Sequence, residues 1–380
     1  MRIGVIGCGN VAVRGHLPAL AATEGLDVVA VADPTPERLA TAAEAAGLGP
    51  AGRHVDWRDL LARDDLDAVV VATPQRMRPD IAIAAAESGR HLLLEKPLAL
   101  APAAAWAIVD AAERAGVVVA TNHNYVFMPI YRAIKNVIAS GEIGAPELAV
   151  LNFMGVEDRP GAAAYAPRWR HTTAESGGGV LTDMLHAVYL GDWLLDAKPV
   201  AVSATIDRRL DGDGDGDVED LALVHYRYPN GHAQINMAWG KGPGGVEITG
   251  TNGRIVLINQ GHGTHPFVPP DRIVVVSEAG ERVIPPEPPD PLGFAAVYAD
   301  FRDAVAAGRP PMSSGADGAR VLEAVVGAYA AGALGREIAL PLAPDDPVYQ
   351  RGAAGIGALD LPPDSPVRRR GMFGVPRTAG

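Results

Sequence analysis

Cysteine is nearly absent from this sequence, since Cys8 is the single one among 380 residues. A disulfide framework and any metal site built from several cysteines are therefore excluded. No apolar run approaches the length of about 18 residues that a membrane-spanning helix needs. The N-terminus also lacks a signal-peptide pattern, because Met1 and Arg2 lead straight into an apolar run and a glycine turn. These absences predict a soluble, cytoplasmic protein with no membrane partner.

Positive charge is also scarce. Lys and Arg number 33 against 45 Asp and Glu, which gives a formal net charge of −12. Because affinity for phosphate backbones depends on basic surface, this balance argues against a nucleic-acid partner. Hydrophobic residues make up 48% of the chain and charged residues 21%, which is typical of a globular protein. A chain of this length is expected to form two domains.

Short apolar runs alternate with helical patterns through the first third of the chain. The runs at residues 2–6, 28–32, 68–72, 91–94 and 117–120 are expected to be strands. Short strands with helices on both sides along the chain indicate a parallel sheet that is covered on both faces. We therefore predict an α/β fold whose N-terminal domain, residues 1–123, is a doubly wound (Rossmann) dinucleotide-binding domain.

The pattern changes after residue 123. Long alternating runs are separated by turns such as 229–231 (P-N-G) and 251–253 (T-N-G), which are hairpin signals. They predict an α+β domain with an open, mainly antiparallel sheet over residues 124–341. A helix is expected over residues 181–195. Residues 342–380 are rich in Pro, Gly and Arg and are interpreted as a tail.

A cofactor motif follows the first strand. Residues 7–12 read G-C-G-N-V-A, a G-x-G-x-x-A turn that opens a helix. Gly7 permits the tight turn, Gly9 lets the backbone approach a pyrophosphate, and the N–H groups at the helix start, near Asn10 and Val11, face the anion. Asp33 ends the second strand, where a carboxylate accepts both hydroxyls of an adenosine ribose and repels a 2′-phosphate. We predict NAD rather than NADP, the alternative being that Asp33 only starts a turn.

The fifth strand ends in Glu95, Lys96 and Pro97. Ligands of this fold bind beyond the carboxyl ends of the strands, so we expect Lys96 to face the cofactor crevice. An ammonium group there could polarise a carbonyl or stabilise an alkoxide beside the nicotinamide. The alternative is that Lys96 pairs with Glu95 or with a surface acid.

Three motifs occur in the order typical of one family: the G-x-G-x-x-A turn, the E-K-P triplet at 95–97, and the string G-G-G-V-L-T-D-M-L-H at 177–186. Over about residues 2–341 the chain resembles the glucose–fructose oxidoreductase and inositol dehydrogenase family. The resemblance implies an NAD-dependent enzyme that oxidises a secondary hydroxyl of a sugar or cyclitol, or runs the reverse reduction. It also implies that nicotinamide and substrate lie between the two domains and that homodimers or homotetramers form through the open sheets.

The resemblance further implies residue roles. Lys96 matches the lysine that bridges nicotinamide and substrate, Asp183 the acid that orients the substrate, and His186 the general acid/base. A neutral imidazole near pH 7 can take a hydroxyl proton, and residues three apart on a helix share a face. The alternative is an aspartate that caps this helix beside a histidine bonded to backbone. The expected cofactor contacts also include Thr73, Pro74 and Glu95.

Four further residues are candidates for substrate binding. Tyr125 stands where many members have an arginine, and Tyr189 where they often have an aspartate. Trp169 could stack on a sugar face and Arg170 could grip a polar group, although both could equally be surface or interface residues. Arg76 and Arg78 are interpreted as solvated residues at the start of a helix, the alternative being that they lie at the mouth of the cofactor crevice.

No metal site is predicted. Residues 211–216 (D-G-D-G-D-G) imitate a calcium loop without its final glutamate, and residues 261–265 (G-H-G-T-H) lack an acid or cysteine that could complete a site. Two other functions stay open. One is a glycosidase that recycles NAD through oxidation, elimination and reduction, and the other is a non-enzymatic NAD(H)-sensing protein, against which Lys96 and His186 count.

Overall fold

The computed structural model describes residues 1–156, 168–209, 216–240, 244–258, 272–284, 290 and 292–378. The chain divides into two compact units. The first unit consists of Met1–Ala99, Ala104–Phe127 and Leu292–Ala319. The second unit consists of Leu100–Ala103, Met128–Pro291 and Arg320–Gly380.

The sheet of the first unit contains, within the described residues, the parallel strands β1 (Arg2–Ile6), β2 (Asp27–Ala32), β3 (Arg53–His54), β4 (Ala68–Val71), β5 (His91–Leu94) and β6 (Val119–Thr121). Their order is β3-β2-β1-β4-β5-β6. Nearly every residue of β1, β4 and β5 is buried, as expected for strands covered by helices on both faces. The predicted doubly wound fold is confirmed. The strand order reverses between β1 and β4, and ligands of such sheets bind beyond the strand ends at that point.

Helices connect these strands. The first begins at Asn10, has π geometry over Ala12–His16 and continues as α1 (Leu17–Ala22). The others are α2 (Pro36–Ala45), α3 (Trp57–Leu61), α4 (Arg78–Glu87) and α5 (Pro102–Ala115), with short 3₁₀ segments at Pro50–Gly52 and Asn124–Phe127.

The second unit combines short helices with a large mixed sheet. Its first elements are α6 (Pro129–Ala139), β7 (Pro146–Val156), a 3₁₀ segment at Arg168–His171, α7 (Thr173–Ser176), α8 (Val180–Asp183), α9 (His186–Leu195) and β8 (Ala201–Asp207). The strands β9 (Leu221–Tyr228), β10 (Gly231–Trp239), β11 (Gly244–Gly250), β12 (Gly253–Ile258), β13 (Arg272–Ser277) and β14 (Gly280–Ile284) follow. Then come α10 (Phe294–Ala307), which belongs to the first unit, α11 (Gly315–Leu334), β15 (Ile338–Ala339), α12 (Pro347–Arg351), a 3₁₀ segment at Gly352–Ala358, and α13 (Pro366–Arg370).

Within the described residues this sheet has the order β14-β13-β12-β11-β7-β10-β9-β8-β15. Every pairing is antiparallel except that of β7 with β10, so the predicted mainly antiparallel sheet is confirmed. One face packs against α9, and the other carries partly exposed side chains such as Leu148 and Leu223.

The sequence pattern missed β7, the central strand. Ala149, Leu151 and Phe153 are fully buried on one face, whereas Leu148 and Val150 lie on the other. Because both faces carry apolar side chains, the period of two that marks a half-buried strand is hidden in the sequence.

The single helix expected over residues 181–195 is wrong. The segment α8 ends at Asp183, Met184 leaves helical geometry with φ −104° and ψ 28°, and α9 begins at His186. The argument that Asp183 and His186 share one helix face therefore fails. The two short helices have different attachments, since α8 is tied at its start to Glu219 and contacts β9 and β10, whereas α9 lies mainly on β7.

The C-terminal residues fold onto the second unit. Val348, Ile356, Val367, Met372 and Phe373 are buried. Hydrogen bonds anchor this stretch at both ends of α13, from the Ser365 hydroxyl to the Ala333 carbonyl at 2.7 Å and from the Phe373 N–H to the Asp217 carbonyl at 2.6 Å. Among the described residues, no helix is both long and apolar enough to cross a bilayer.

Candidate active site

The glycine turn lies at the carboxyl end of β1. Gly7 has φ +93°, and a Cβ on it would lie 2.7 Å from the Ala72 carbonyl carbon after β4. Its N–H donates to the Ala32 carbonyl at 2.8 Å. Only glycine tolerates this positive φ at such a close approach of two backbones. The turn is therefore held between the ends of β2 and β4, at the reversal of strand order.

The turn leaves room for an anion. A Cβ placed on Gly9 would meet no atom within 4 Å, and Asn10 and Val11, where the helix begins, are exposed. The first N–H groups of a helix have no partner within it and carry partial positive charge. These residues thus fit the pyrophosphate of a dinucleotide.

Asp33 lies beside this turn. It is 7% exposed, and its Oδ2 accepts the Cys8 N–H at 2.8 Å while its Oδ1 accepts the Thr35 N–H at 2.8 Å. The second of these bonds is the local turn that formed the alternative interpretation of Asp33. A carboxylate oxygen can accept more than one hydrogen bond, so both oxygens can also accept ribose hydroxyls.

Thr73 and Pro74 follow β4. The Thr73 side chain is buried, and its Oγ1 has no hydrogen-bond partner among the described residues. A buried polar atom without a partner is destabilising, and a hydroxyl of a bound cofactor would satisfy it. Pro74 is exposed. Both residues therefore fit the predicted cofactor contact.

Arg78 corrects a prediction. Arg76 is exposed, but Arg78 is 3% exposed instead of solvated. Its guanidinium donates to the Glu95 carbonyl at 2.7 Å and to the carbonyls of Thr73 and Pro97. Burial lowers the pKa of Arg78 to about 10, although the charge of Glu95 opposes this shift. Arg78 thus ties together the backbone that follows β4 and β5.

Glu95 is the centre of a buried network behind Lys96. Its Oε1 accepts hydrogen bonds from Asn122 Nδ2 at 2.6 Å and from His16 Nε2 at 3.0 Å, and its Oε2 accepts the Lys96 N–H at 3.1 Å. The hydroxyl of Tyr298 lies 2.7 Å from His16 Nδ1. Burial alone raises the pKa of Glu95, but the His16 and Asn122 hydrogen bonds and the Lys96 charge outweigh it and bring the pKa to about 2. Glu95 is therefore an ionised carboxylate that fixes the backbone at Lys96.

Lys96 itself is partly buried, and its peptide bond to Pro97 is cis. Tyr125, in the 3₁₀ segment after β6, is 2% exposed. The neighbouring Asn124 donates to the Leu292 carbonyl at 2.8 Å. Sequence reasoning did not identify His16, Asn122, Tyr298 or the role of Arg78, since their partners are distant in sequence.

In the second unit, the structure brings Trp169, Arg170 and Asp183 together. Arg170 Nη1 donates to Asp183 Oδ1 at 2.7 Å, and the Arg170 guanidinium lies 5.1 Å from the centre of the Trp169 ring. The ion pair is partly exposed, with 38% of the Arg170 side chain and 16% of the Asp183 side chain accessible. Asp183 therefore forms an ion pair with Arg170.

His186 and Tyr189 form a second group. His186 Nδ1 lies 2.5 Å from the Tyr189 hydroxyl, and both residues are buried on the first turn of α9. This contact fixes the orientation of the imidazole. His225 and His232 lie on the sheet, where Nε2 of the first is 3.0 Å from Nδ1 of the second.

The described residues contain no cluster of three potential metal ligands. Residues 211–215 of the calcium-like loop and the Gly- and His-rich residues 261–265 lie outside the described residues.

The fold and the glycine turn define a two-domain dinucleotide-binding protein. Residues 1–123 match the model of an "Oxidoreductase family, NAD-binding Rossmann fold", and residues 131–256 match the "GFO/IDH/MocA C-terminal domain". The chain belongs to the GFO/IDH/MocA oxidoreductase family. The predictions of this family and of NAD as cofactor are confirmed, and the chain is an NAD-dependent oxidoreductase.

Two curated relatives illustrate the similarity. The 1,5-anhydro-D-fructose reductase of Ensifer adhaerens is 31% identical over 324 residues, which are 83% of this chain and 92% of the relative. The inositol 2-dehydrogenase 2 of Saccharopolyspora erythraea is 33% identical over 233 residues, 61% of this chain and 64% of the relative. Among solved structures, GenD2 from gentamicin A biosynthesis in complex with NAD is 28% identical, with a TM-score of 0.72 over 90% of this chain and 97% of that one.

Proposed function

We propose that this protein transfers hydride between NAD and a secondary hydroxyl or ketone of a sugar, a sugar derivative or a cyclitol. The names of the two curated relatives, a sugar reductase and an inositol dehydrogenase, support this substrate class. The observation that carries the proposal is the support of Lys96 at the end of β5. Glu95 holds its N–H, and Arg78 holds the carbonyls on either side.

NAD, when bound, accepts or returns the hydride. The glycine turn and Asp33 hold the dinucleotide, with Thr73, Pro74 and Glu95 as further contacts. Asp33 favours NAD over NADP because an ionised carboxylate repels a 2′-phosphate. The ammonium group of Lys96 polarises the reacting oxygen, and it stabilises negative charge there as the reaction proceeds.

His186 is the proposed general acid/base. Its Nδ1 lies within hydrogen-bond distance of the Tyr189 hydroxyl, and we assign proton exchange with the substrate to Nε2. An imidazole with one nitrogen fixed in this way presents the other in a defined direction, which general acid/base catalysis requires.

Asp183 is the proposed substrate-orienting acid, and Arg170 holds its carboxylate. Because a carboxylate oxygen accepts more than one hydrogen bond, Asp183 can accept a substrate hydroxyl in addition to Arg170, and Trp169 offers an aromatic face for the sugar ring. Tyr125 completes the proposed substrate set.

The test of this function is Lys96→Ala. We expect turnover to fall by about 10²–10⁴-fold, the range typical of losing a positioned proton or charge donor, while the Kd for NADH, measured by fluorescence, changes by less than about threefold. Lys198→Ala is the control, since Lys198 is a half-exposed lysine of the second unit whose Nζ lies 3.5 Å from Oδ2 of the buried Asp192. Substantial residual turnover in Lys96→Ala would refute the role of Lys96.

The substrate is found by screening monosaccharides, anhydrosugars, glycosides and inositols for absorbance at the NADH band. Oxidation of one of these with net NADH formation supports the proposal. Release of a free aglycone without net NADH would instead identify a glycosidase that recycles NAD, and NADH binding without turnover of any compound would point to a sensor.

The proposal includes the organisation of the molecule. We assign residues 1–123 to the dinucleotide-binding domain, 124–341 to the substrate and oligomerisation domain and 342–380 to the C-terminal segment. The open face of the second sheet, where Leu148 and Leu223 are 37% and 36% exposed, is proposed to pair copies of the chain into a homodimer or homotetramer. Light scattering of Leu223→Arg tests this pairing, and cell fractionation tests the expected cytoplasmic location.

A further inference from the structure

Glu219 is a buried acid for which the proposed reaction has no use. It precedes β9, is 0% exposed, and all of its oxygens point at the start of α8. Its Oε2 accepts the Gly179 N–H at 2.8 Å and its Oε1 accepts the Leu181 N–H at 2.9 Å, while its backbone carbonyl accepts the Val180 N–H at 3.2 Å. One residue therefore binds three successive N–H groups that a helix start leaves without partners.

Tyr329 of α11 binds the next residue. Its hydroxyl donates to Glu219 Oε1 at 2.8 Å, so its single proton is used there. The same oxygen accepts the Thr182 N–H at 3.2 Å and lies 2.8 Å from Thr182 Oγ1, which must then be the donor. The four N–H groups from Gly179 to Thr182 thus all donate hydrogen bonds to Glu219 or Tyr329. The next residue along the chain is Asp183.

The approach is too close for any other residue at Gly179. A Cβ there would lie 1.8 Å from the Glu219 carbonyl oxygen. This contact accounts for the last glycine of the G-G-G string, since a side chain at that position would push α8 away from Glu219.

The aromatic ring of Phe373, in the C-terminal segment, packs against the ring of Tyr329. The centres of the Phe373 and Tyr329 rings are 4.9 Å apart. The backbone N–H of Phe373 donates to the Asp217 carbonyl at 2.6 Å. Asp217 in turn binds the segment that carries Trp169 and Arg170. Its N–H donates to the His171 carbonyl at 3.0 Å, and its Oδ1 accepts the Thr173 N–H at 2.7 Å. Phe373 is therefore linked, through Tyr329 and Asp217, to both segments that supply the Arg170–Asp183 pair.

We propose that Glu219 and Tyr329, braced by Phe373 of the C-terminal segment, are positioning residues that set the place of Asp183 relative to Arg170 and of His186 at the start of α9. They act through the backbone of residues 179–182 and touch neither substrate nor cofactor. This inference rests on the proposed function, in which Asp183 and His186 address the substrate.

Tyr329→Phe tests the proposal, because it removes one hydroxyl and leaves the ring against Phe373. We expect kcat/KM for the sugar substrate to fall by about 10–100-fold, since small misplacements of reacting groups have effects of this size. The Kd for NADH should change by less than about twofold. Phe373→Ala should have a smaller effect in the same direction, and Phe373→Tyr, which keeps the ring, should restore nearly full activity.

Tyr226→Phe is the matched control. Tyr226 is an equally buried tyrosine of the second unit whose hydroxyl donates to the Ala324 carbonyl of α11 at 3.1 Å and not to the backbone of residues 179–182. If Tyr226→Phe lowers kcat/KM as much as Tyr329→Phe does, the effect is general destabilisation and the positioning role is refuted.

Hydrogen exchange separates this inference from the proposed function. In Tyr329→Phe the amides of Gly179 to Thr182 should exchange at least about tenfold faster, whereas in Tyr226→Phe they should not. Unchanged protection in Tyr329→Phe overturns the positioning role even if the wild-type enzyme oxidises sugars. Faster exchange, in a protein that turns over no sugar or cyclitol, upholds the anchoring of α8 while the proposed substrate class fails.

Discussion

Glu95 in the first unit and Glu219 in the second are both buried carboxyls that fix a segment with proposed catalytic residues. Their environments push their pKa values in opposite directions. The hydrogen bonds from His16 and Asn122 and the charge of Lys96 overcome burial and bring the pKa of Glu95 to about 2. Burial dominates at Glu219 and raises its pKa to about 7, against hydrogen bonds from the N–H groups of Leu181, Gly179 and Glu219 itself and from the Tyr329 hydroxyl.

The difference teaches that burial alone does not decide the charge of an acid. The Glu219 carboxylate accepts at least as many hydrogen bonds as that of Glu95, so the number of donors does not explain the difference either. A histidine ring and a lysine charge lie near Glu95, whereas the donors to Glu219 are all neutral. Nearby positive charge stabilises an ionised carboxylate at low dielectric much more than neutral dipoles do.

The largest expected effect comes from removing the Glu95 carboxylate. Glu95→Leu should lower the free energy of unfolding by about 3–5 kcal/mol, because it leaves His16 and Asn122 buried without their shared acceptor. Urea denaturation measures this loss. In the double variant His16→Leu/Glu95→Leu part of the loss should return, since no unpaired imidazole remains. Purely additive losses would show that His16 and Glu95 are not coupled.

Acid should weaken the contribution of Glu95. Its pKa in the folded protein, about 2, lies below the ordinary value of 4.5, so its ionised form stabilises the fold above pH 4.5 and this stabilisation disappears as the pH falls towards 2. The full span corresponds to about 3 kcal/mol. The stability difference between wild type and Glu95→Gln, from urea titrations at several pH values, should therefore shrink on acidification. A difference independent of pH would contradict the low pKa.

Glu219 should show the opposite dependence. Its pKa rises from 4.5 to about 7 on folding, so the folded state holds a proton that the unfolded state has released between these values. The stability that it contributes is complete below pH 4.5 and is lost as the pH rises through 7, by up to about 3 kcal/mol. Relative to Glu219→Gln, wild type should lose stability between about pH 5 and pH 8. A gain over that range would show that the hydrogen bonds outweigh burial.

The two units also differ in how far their sequence predicted them. Five strands of the first unit are predicted correctly, because burial on both faces makes each one a short apolar run, as in β4 and β5, whereas the two-residue strand β3 is missed. In the second unit the hairpin turns indicate β9 to β12, but β7 is missed because its two faces are both apolar, and β13 to β15 are missed as well. The helix break at Met184 could not be predicted from the local sequence, because the start of α8 is bound by Glu219, some 35 residues further along the chain.

The residues proposed for the site also fall into two groups, those that the sequence predicts and those that only the tertiary structure shows. Gly7, Asp33 and Lys96 lie at strand ends, where topology alone locates a ligand. By contrast, His16 and Tyr298 are 282 residues apart, and their contact follows from tertiary packing. Sequence therefore predicted the residues with a chemical role more readily than the buried residues that hold them.

Cys8 is a third buried group whose pKa can be compared with those of Glu95 and Glu219, and the effect expected from it is the smallest. Burial, followed by the charge of Asp33, raises the pKa of this thiol to about 12, so it behaves like Glu219, with no cation to stabilise its ionised form. At pH 8 only about one thiol in ten thousand would be ionised, and the thiolate is the reactive form. Iodoacetamide should leave the folded protein unlabelled but label it fully in urea, as mass spectrometry would show without ambiguity because the chain has one cysteine. Rapid labelling of the folded protein would contradict the buried position of Cys8 beside Asp33. If the thiol is protected, its labelling rate can be used to measure local unfolding of the glycine turn.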